Sequence, residues 1–291
     1  MEFDNPIQLH LIDAFTSEAF GGNSAAIIFQ DDLPNKLMQQ IAKEMNLSET
    51  AFISSSDTAD YDLKWFTPLI EVELCGHATI ASLHYLAEQG FISKNTAVTF
   101  DTLSGVLDCR VDNEKYYMKL PLPKFREYDG DTNDVVKAMG LKPSDLDGSY
   151  PPIVQNNGNL FIYTKSLEAI KKLEPNFSEL LKLSNQNRGF TEFTVFTTET
   201  VDEENDAHLR FFAPFYGIDE DPVTGSANGP LLLVLKKLGL IEADTENKQF
   251  TFEQGDFIGR KGRVTVKYSP TKEELMIAGN AVTVMRGELF L

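Results

Sequence analysis

The sequence predicts an α/β protein of two pseudo-symmetric halves, each mostly strand and each wrapped around one central helix. Three observations predict it: an ordered internal repeat, short runs of apolar and β-branched residues, and two helical stretches that are apolar on nearly every side.

The repeat comes first because it sets the architecture. Lys64-Trp65-Phe66-Thr67-Pro68 matches Arg210-Phe211-Phe212-Ala213-Pro214, and Cys75-Gly76-His77-Ala78 matches Thr224-Gly225-Ser226-Ala227. Upstream, Ser48-Glu49-Thr50-Ala51-Phe52 faces Thr191-Glu192-Phe193-Thr194-Val195, and Gly22-Asn23 faces Gly158-Asn159. Four matches in one order imply a duplicated unit. We place the halves at 1–125 and 126–291, with the C-terminal strand a candidate to cross back to the first half. The Asp-, Gly- and Pro-rich stretch Lys124 to Pro152 carries the connection.

Strands are expected at Ile7 to Ala14, Ala25 to Phe29, Thr50 to Ser54, Asp62 to Thr67, Ala97 to Thr102, Val106 to Val111 and Tyr116 to Leu120. A helix is expected from Pro34 to Met45, with proline in its first turn and Leu37, Met38, Ile41 and Met45 at helical spacing. The two apolar helices run from about Gly76 to Gln89 and from about Ser226 to Leu238, closed by Gly90 and Gly239. A helix with so little polar surface is buried, so each is read as the centre of its half.

Composition narrows the function classes. The 291 residues carry 26 Lys+Arg and 44 Asp+Glu, a net charge of −18. Such a field repels nucleic acid and anionic membranes, so neither is expected as a partner. An aromatic content of 11% with 21 Phe supports packed cores rather than a disordered acidic chain. No transmembrane run and no signal-peptide pattern are seen, and the expected location is the cytoplasm. The two cysteines, Cys75 and Cys109, form no CxxC. The four histidines lack HxH or HExxH spacing, so no metal site is expected. No phosphate-loop, dinucleotide or hydrolase-elbow motif occurs.

The chemistry gathers at the helix starts. Gly76-His77 and Gly225-Ser226 hold equivalent places, where backbone N–H groups and the helix dipole favour an anion such as a carboxylate. Glycine allows close approach to the backbone. Asp221, in Asp219-Glu220-Asp221, lies just before the second start and can bond a substrate hydroxyl or amine, or orient His77. Glu49 sits where a helix gives way to an apolar strand, and partial burial there would suit it to proton transfer. Among the other histidines, His84 reads as structural, His208 as solvent-exposed, and His10 as lying in an edge-like strand.

Phe20-Gly21-Gly22-Asn23-Ser24-Ala25-Ala26, Leu47-Ser48-Glu49-Thr50-Ala51-Phe52, Cys75-Gly76-His77-Ala78-Thr79 and Glu220-Asp221-Pro222-Val223-Thr224-Gly225-Ser226-Ala227 occur in that order. Together they resemble the phenazine-biosynthesis PhzF-like isomerase/epimerase family, over nearly the whole chain. The resemblance implies the diaminopimelate epimerase fold, with a strongly curved, mostly antiparallel sheet around each central helix and the active site in the cleft between the halves. It implies a cofactor-independent, metal-free homodimer that shifts a proton at carbon of a small carboxylate substrate. Carried onto matching positions, Glu49 is the general acid/base, assisted by His77 and Asp221. Gly76, Gly225, Ser226 and Asn23 hold the substrate. Ser24 stands where the family usually has proline, which is expected to loosen its loop. Cys75 has Thr224 as its repeat partner, so a two-thiol racemase is not expected. The alternatives are an amino-acid epimerase that uses carboxylates, and a small-acid binding protein without turnover.

Overall fold

The computed structural model describes residues 6–113, 115–186, 188–242, 244–246 and 248–291. Residues 1–5, which begin the stretch searched for a leader pattern, lie outside them. The chain divides into two compact units. One runs to Lys119 and resumes from Met276 to Leu291, and the other is Leu120–Leu275.

The first unit begins with β1 (Ile7–Ala14), β2 (Asn23–Phe29), α1 (Asn35–Met45), β3 (Glu49–Ser54), β4 (Tyr61–Phe66), β5 (Glu71–Val72), α2 (Gly76–Glu88), β6 (Thr96–Thr102), β7 (Gly105–Asp112) and β8 (Lys115–Leu120). β1 and β2 are antiparallel, β2 and β3 parallel, and β4 pairs antiparallel with β3 and β5 but parallel with β6. β6, β7 and β8 form an antiparallel meander.

The second unit holds β9 (Phe125–Glu127), α3 (Asn133–Ala138), β10 (Ile153–Gln155), β11 (Asn159–Tyr163), α4 (Leu167–Lys171), α5 (Phe177–Ser184), β12 (Glu192–Thr197), β13 (Ala207–Ala213), β14 (Ile218–Asp221), α6 (Gly225–Leu238), β15 (Phe250–Gln254) and β16 (Gly262–Ser269), and the chain returns to the first unit within β17 (Glu274–Gly279). Its pairings repeat the first unit's. β10 and β11 are antiparallel, β11 and β12 parallel, and β13 pairs antiparallel with β12 and β14 but parallel with β15. The duplicated sequence thus folds twice with the same strand directions. The last strand, β18 (Ala281–Leu289), lies antiparallel to β1 in the first unit. The fold class is the one the sequence predicts, a mixed α/β protein with a strongly curved, mostly antiparallel sheet.

Burial follows from the helices. In α2 every residue from Gly76 to Leu83 is buried, together with Tyr85 and Leu86. It packs on β1, β2, β3 and β18. Its few hydroxyls return to their own helix: Thr79 Oγ1 donates to the Cys75 carbonyl at 2.6 Å and Ser82 Oγ to that of Ala78 at 2.7 Å. Such back-bonding lets a polar side chain sit in an apolar setting. The opposite face of the same strands is covered by α1, where Met38 and Ile41 meet Ile7, Leu9, Ala26, Ile28, Phe52 and Phe66. β2 is therefore apolar on both faces, which is why it reads as a run and not as an alternation. In the second unit, α6 is buried over most of its length despite Pro230. Proline cannot donate to the Ser226 carbonyl one turn back, so the helix ladder lacks one bond there.

Two histidine readings are corrected. His10 is not at an edge, because β1 is paired on both sides, and its ring meets Tyr85 edge-on at 4.8 Å. His208 is fully buried, with Nε2 3.3 Å from Asp256 and its ring stacked on Phe257. Charged neighbours in sequence made it look exposed, but β13 is buried along its whole length. Burial pushes the Asp256 carboxyl up, but contacts from His208 and Arg263 outweigh this and hold it at about 2. His84 is structural as expected, with its ring nitrogens on Tyr116 Oη and Thr283 Oγ1, both at 3.0 Å. Among the described residues no helix is long and apolar enough to cross a membrane.

The two central helices end alike. Phe91 N–H donates to the Leu86 carbonyl and Gly90 N–H to that of Ala87, with Gly90 at φ +78°. Leu240 and Gly239 repeat this on Leu235 and Lys236, with Gly239 at φ +71°. These are Schellman closures, and they require a left-handed residue. Nothing lies within 4 Å of a Cβ added at either glycine. Gly90→Ala and Gly239→Ala should therefore each cost only the backbone strain, about 1–2 kcal/mol in denaturant unfolding.

Candidate active site

Within the first unit, three segments distant in sequence bring Asn23, Glu49, Gly76 and His77 together. Asn23 opens β2 and Glu49 opens β3, and these parallel strands lie side by side with Ala25 opposite Glu49. His77 is the second residue of α2. Its Nε2 lies 3.3 Å from Glu49 Oε2, and its Nδ1 lies 3.2 Å from the Asn23 amide nitrogen. His77 is 4% exposed, and burial pushes it down to about 3. The imidazole is thus neutral at pH 7, with one donor and one acceptor nitrogen. Asn23 Nδ2 donates to Nδ1, so Nε2 carries the hydrogen and stands beside the Glu49 carboxylate. Asn23 sets the tautomer, and the imidazole faces Glu49.

Asn23 is itself held by its loop. Gly22 stands at φ +54°, and a Cβ there would lie 2.0 Å from the Ala14 carbonyl oxygen, so only glycine fits. Asp13, 1% exposed, accepts from Phe20 N–H at 2.7 Å and from Ser24 Oγ. Ser24 therefore ties the loop to β1, contrary to the loosening expected where proline is absent. A serine hydroxyl supplies the tether that proline would supply by stiffness.

Gly76 opens α2 after Cys75, which occupies the N-cap with no side-chain hydrogen bond to the helix. A thiol is a weak acceptor. Cys75 Sγ instead lies 3.5 Å from His77 Nδ1. Cys109 is on β7, buried, and burial pushes its thiol up.

The second unit gathers Asp221, Gly225 and Ser226. Asp221 ends β14 and is 6% exposed. The acidic triplet is sorted by its surroundings, not by strand alternation, since Asp219 and Asp221 have the same parity. Asp219 is exposed, and Glu220 makes a two-pronged contact with Arg210 at 2.7 Å on both prongs, leaving Asp221 as the buried member. Thr224 is the N-cap of α6, but its hydroxyl donates to Asp221 Oδ2 at 2.5 Å instead of capping the helix. Gln254 fixes the segment. Its Nε2 donates to the Asp221 carbonyl, and its Oε1 accepts from Thr224 N–H and from Asn228 Nδ2. Both central helices thus begin without a side-chain cap, at a glycine followed by His77 in one and Ser226 in the other. An uncapped N-terminus with a glycine first turn suits a carboxylate.

Glu192 is a candidate that motif reading missed. It opens β12 as Glu49 opens β3, next to Asn159, which opens β11 as Asn23 opens β2. The signal was present in the repeat, where Glu192 aligns with Glu49. Burial raises its carboxyl to about 7, and the nearby charge of Asp221 adds to this. Thr194, Phe211 and Asp221 lie opposite one another across neighbouring strands, and Glu192 shares their face two residues before Thr194. At neutral pH Glu192 is therefore about half protonated while Asp221 is held by Thr224.

Similarity to known proteins shows the fold and the family. The fold is shared with an epimerase: a hydroxyproline epimerase of Agrobacterium vitis superposes with a TM-score of 0.65 at 11% identity, a likeness of fold alone. A phenazine biosynthesis protein of the PhzF family from Bacillus anthracis superposes with a TM-score of 0.89 at 30% identity, over 99% of this chain and 100% of that one. An uncharacterized isomerase of Clostridium acetobutylicum is 39% identical over 97% of this chain and 98% of its own length. One of Bacillus subtilis is 35% identical over 88% of each. Residues 12–287 match the phenazine biosynthesis-like protein family, and the chain belongs to it.

Two measurements check the electrostatics. Nitrogen-15 NMR should find His77 neutral, with hydrogen on Nε2, from pH 8 down to about 4, and an imidazolium at pH 6 would contradict the tautomer assignment. Glu192 has a folded-state value above its unfolded one, so its contribution favours folding below about pH 4.5 and is lost as pH rises through 7. Glu192→Gln should remove that loss, a relative gain of roughly 3 kcal/mol between pH 4 and pH 8.

Proposed function

We propose that this protein is a cofactor-independent isomerase that moves a proton between carbons of a small carboxylate substrate. The observation that carries the reading is the buried Asn23–His77–Glu49 chain, which presents a carboxylate beside a neutral imidazole N–H. Glu49 takes the proton from carbon. The imidazole Nε2–H stands beside that carboxylate, 3.3 Å from Oε2. The uncapped start of α2 at Gly76 offers backbone N–H groups to the substrate carboxylate or to charge that develops in the transition state. Asp221, Gly225 and Ser226 are assigned to the substrate's polar groups on their motif and on the rigid Gln254-held segment that carries them.

Loss of a carbon-bound proton leaves a carbanion, which needs conjugation within the substrate if no cofactor supplies it. The substrate class is therefore an unsaturated or cyclic amino or hydroxy acid. A homodimer acting in the cytoplasm, with no nucleic-acid or membrane partner, is proposed with it from the family resemblance and the charge of −18.

A second reading, a carboxylate-based epimerase, is favoured by Glu192, a carboxyl that titrates near neutral pH and so can give a proton as well as accept one. The stereochemistry of the product separates the two: migration of a double bond supports isomerisation, and inversion at one carbon supports epimerisation.

The test uses a panel of cyclic unsaturated and saturated amino acids in D2O, with deuterium uptake at carbon read by proton NMR. Wild type should exchange at least one of them, and Glu49→Gln should reduce that exchange by at least 10³-fold, in line with loss of a general base. Undiminished exchange in Glu49→Gln would remove Glu49 from the role.

A further inference from the structure

Glu49, Cys75 and His77 have a second property that the proton-transfer reading does not use. Their donor atoms all lie within 4.8 Å of one another. His77 Nε2 is 3.3 Å from Glu49 Oε2 and 4.0 Å from Cys75 Sγ. A tetrahedral zinc ion with ordinary Zn–N, Zn–O and Zn–S bonds sets its nitrogen and oxygen ligands about 3.4 Å apart and its nitrogen and sulfur ligands about 3.6 Å apart. The nitrogen–oxygen spacing is already met, the nitrogen–sulfur spacing needs a shift of about 0.4 Å in the thiol, and the oxygen–sulfur pair lies within the same 4.8 Å.

The backbone explains why these three converge. Cys75 and His77 flank the glycine that opens α2, and β3 delivers Glu49 from 26 positions earlier in the sequence. A ligand pair written C-x-H, with its third member far upstream, matches no familiar zinc spacing. That is why the sequence led to the expectation of no metal.

We propose that Glu49, Cys75 and His77 form a binding site for a soft divalent cation of the zinc type, with the fourth coordination position open. On binding, the Cys75 thiol gives its proton to solvent and the thiolate and carboxylate together balance the ion's two positive charges. His77 binds through Nε2 and carries its hydrogen on Nδ1. The Asn23 amide, turned over, accepts from that hydrogen, as outer partners of ligating histidines do. Three protein ligands and one open position resemble a catalytic arrangement more than a closed structural one. Because the ion occupies Glu49, it blocks proton transfer by that residue. Only this inhibitory consequence rests on the proposed isomerase reading, and the binding itself does not.

The other cluster of this kind among the described residues, His208, Glu253 and Asp256, is different. It already holds a cation, since Arg263 Nη2 lies 2.9 Å from Asp256 and 3.5 Å from Glu253. Glu253 also accepts from the backbone N–H groups of Val201 and Asp202. Its carboxylates are thus engaged by a guanidinium and by backbone N–H groups.

The test is a Co2+ titration of the reduced, tag-free, full-length protein, followed by absorption. A thiolate-to-cobalt charge-transfer band with four-coordinate ligand-field bands is expected in wild type and in Cys109→Ser, displaced by Zn2+. The charge-transfer band should vanish in Cys75→Ser, and His77→Gln and Glu49→Gln should each weaken binding at least tenfold. As a check on unsubstituted protein, Zn2+ should slow iodoacetamide alkylation of Cys75, read by peptide mass, at least tenfold. No thiolate band in wild type, a band that survives in Cys75→Ser, or alkylation unaffected by Zn2+ overturns the proposal. These readouts involve no turnover, so a failed isomerase assay leaves them intact.

Discussion

The constraint on which the rest depends is the burial of two nearly featureless helices. α2 and α6 have too little polar surface to face water, so each unit must surround its helix with strand and with other helices. Surrounding a helix also encloses its ends. The C-terminal ends are closed by glycine at Gly90 and Gly239, but the N-terminal ends are left without side-chain caps. Cys75 cannot cap well, and Thr224 spends its hydroxyl on Asp221. The buried helix thus produces both the core and a pair of backbone donor sites, from one and the same requirement.

Burial then decides the charge states that matter. His77 has a carboxylate 3.3 Å away, yet desolvation outweighs that attraction and leaves the ring neutral. The same force keeps a proton on Glu192 near neutral pH. Asp256 shows the opposite outcome, because Arg263 and His208 supply enough positive charge and hydrogen bonding to overcome its burial. The difference lies in the partners. A buried carboxyl stays ionised when guanidinium reaches it and is protonated more readily when its neighbour is another carboxylate.

The duplication preserved backbone and changed side chains. Asn23 and Asn159, Glu49 and Glu192 open matching strands, and strand directions are the same in both units. At the helix starts, however, Cys75 and His77 stand against Thr224 and Ser226. One unit therefore carries a thiol, an imidazole and a carboxylate around one point. The other carries hydroxyls, amides and the Asp221 carboxylate, organised by Gln254. Backbone geometry, which the core enforces, is harder to change than the groups it displays.

The sequence by itself determined the duplication, nearly every strand of the first unit to within two residues, both central helices and their glycine ends, and Glu49, His77 and Asp221 as residues of interest. These rest on local signals: apolar runs, helical spacing, and motifs a few residues long. Only the tertiary structure decided what those residues do to one another. That Asn23 sets the tautomer of His77, that Ser24 tethers its loop, that Glu220 belongs to Arg210 while Asp221 turns inward, and that His208 is buried all depend on contacts between segments tens of residues apart. The protonation of Glu192 is of the same kind. Desolvation is a property of everything packed around a group, and no window of sequence contains it.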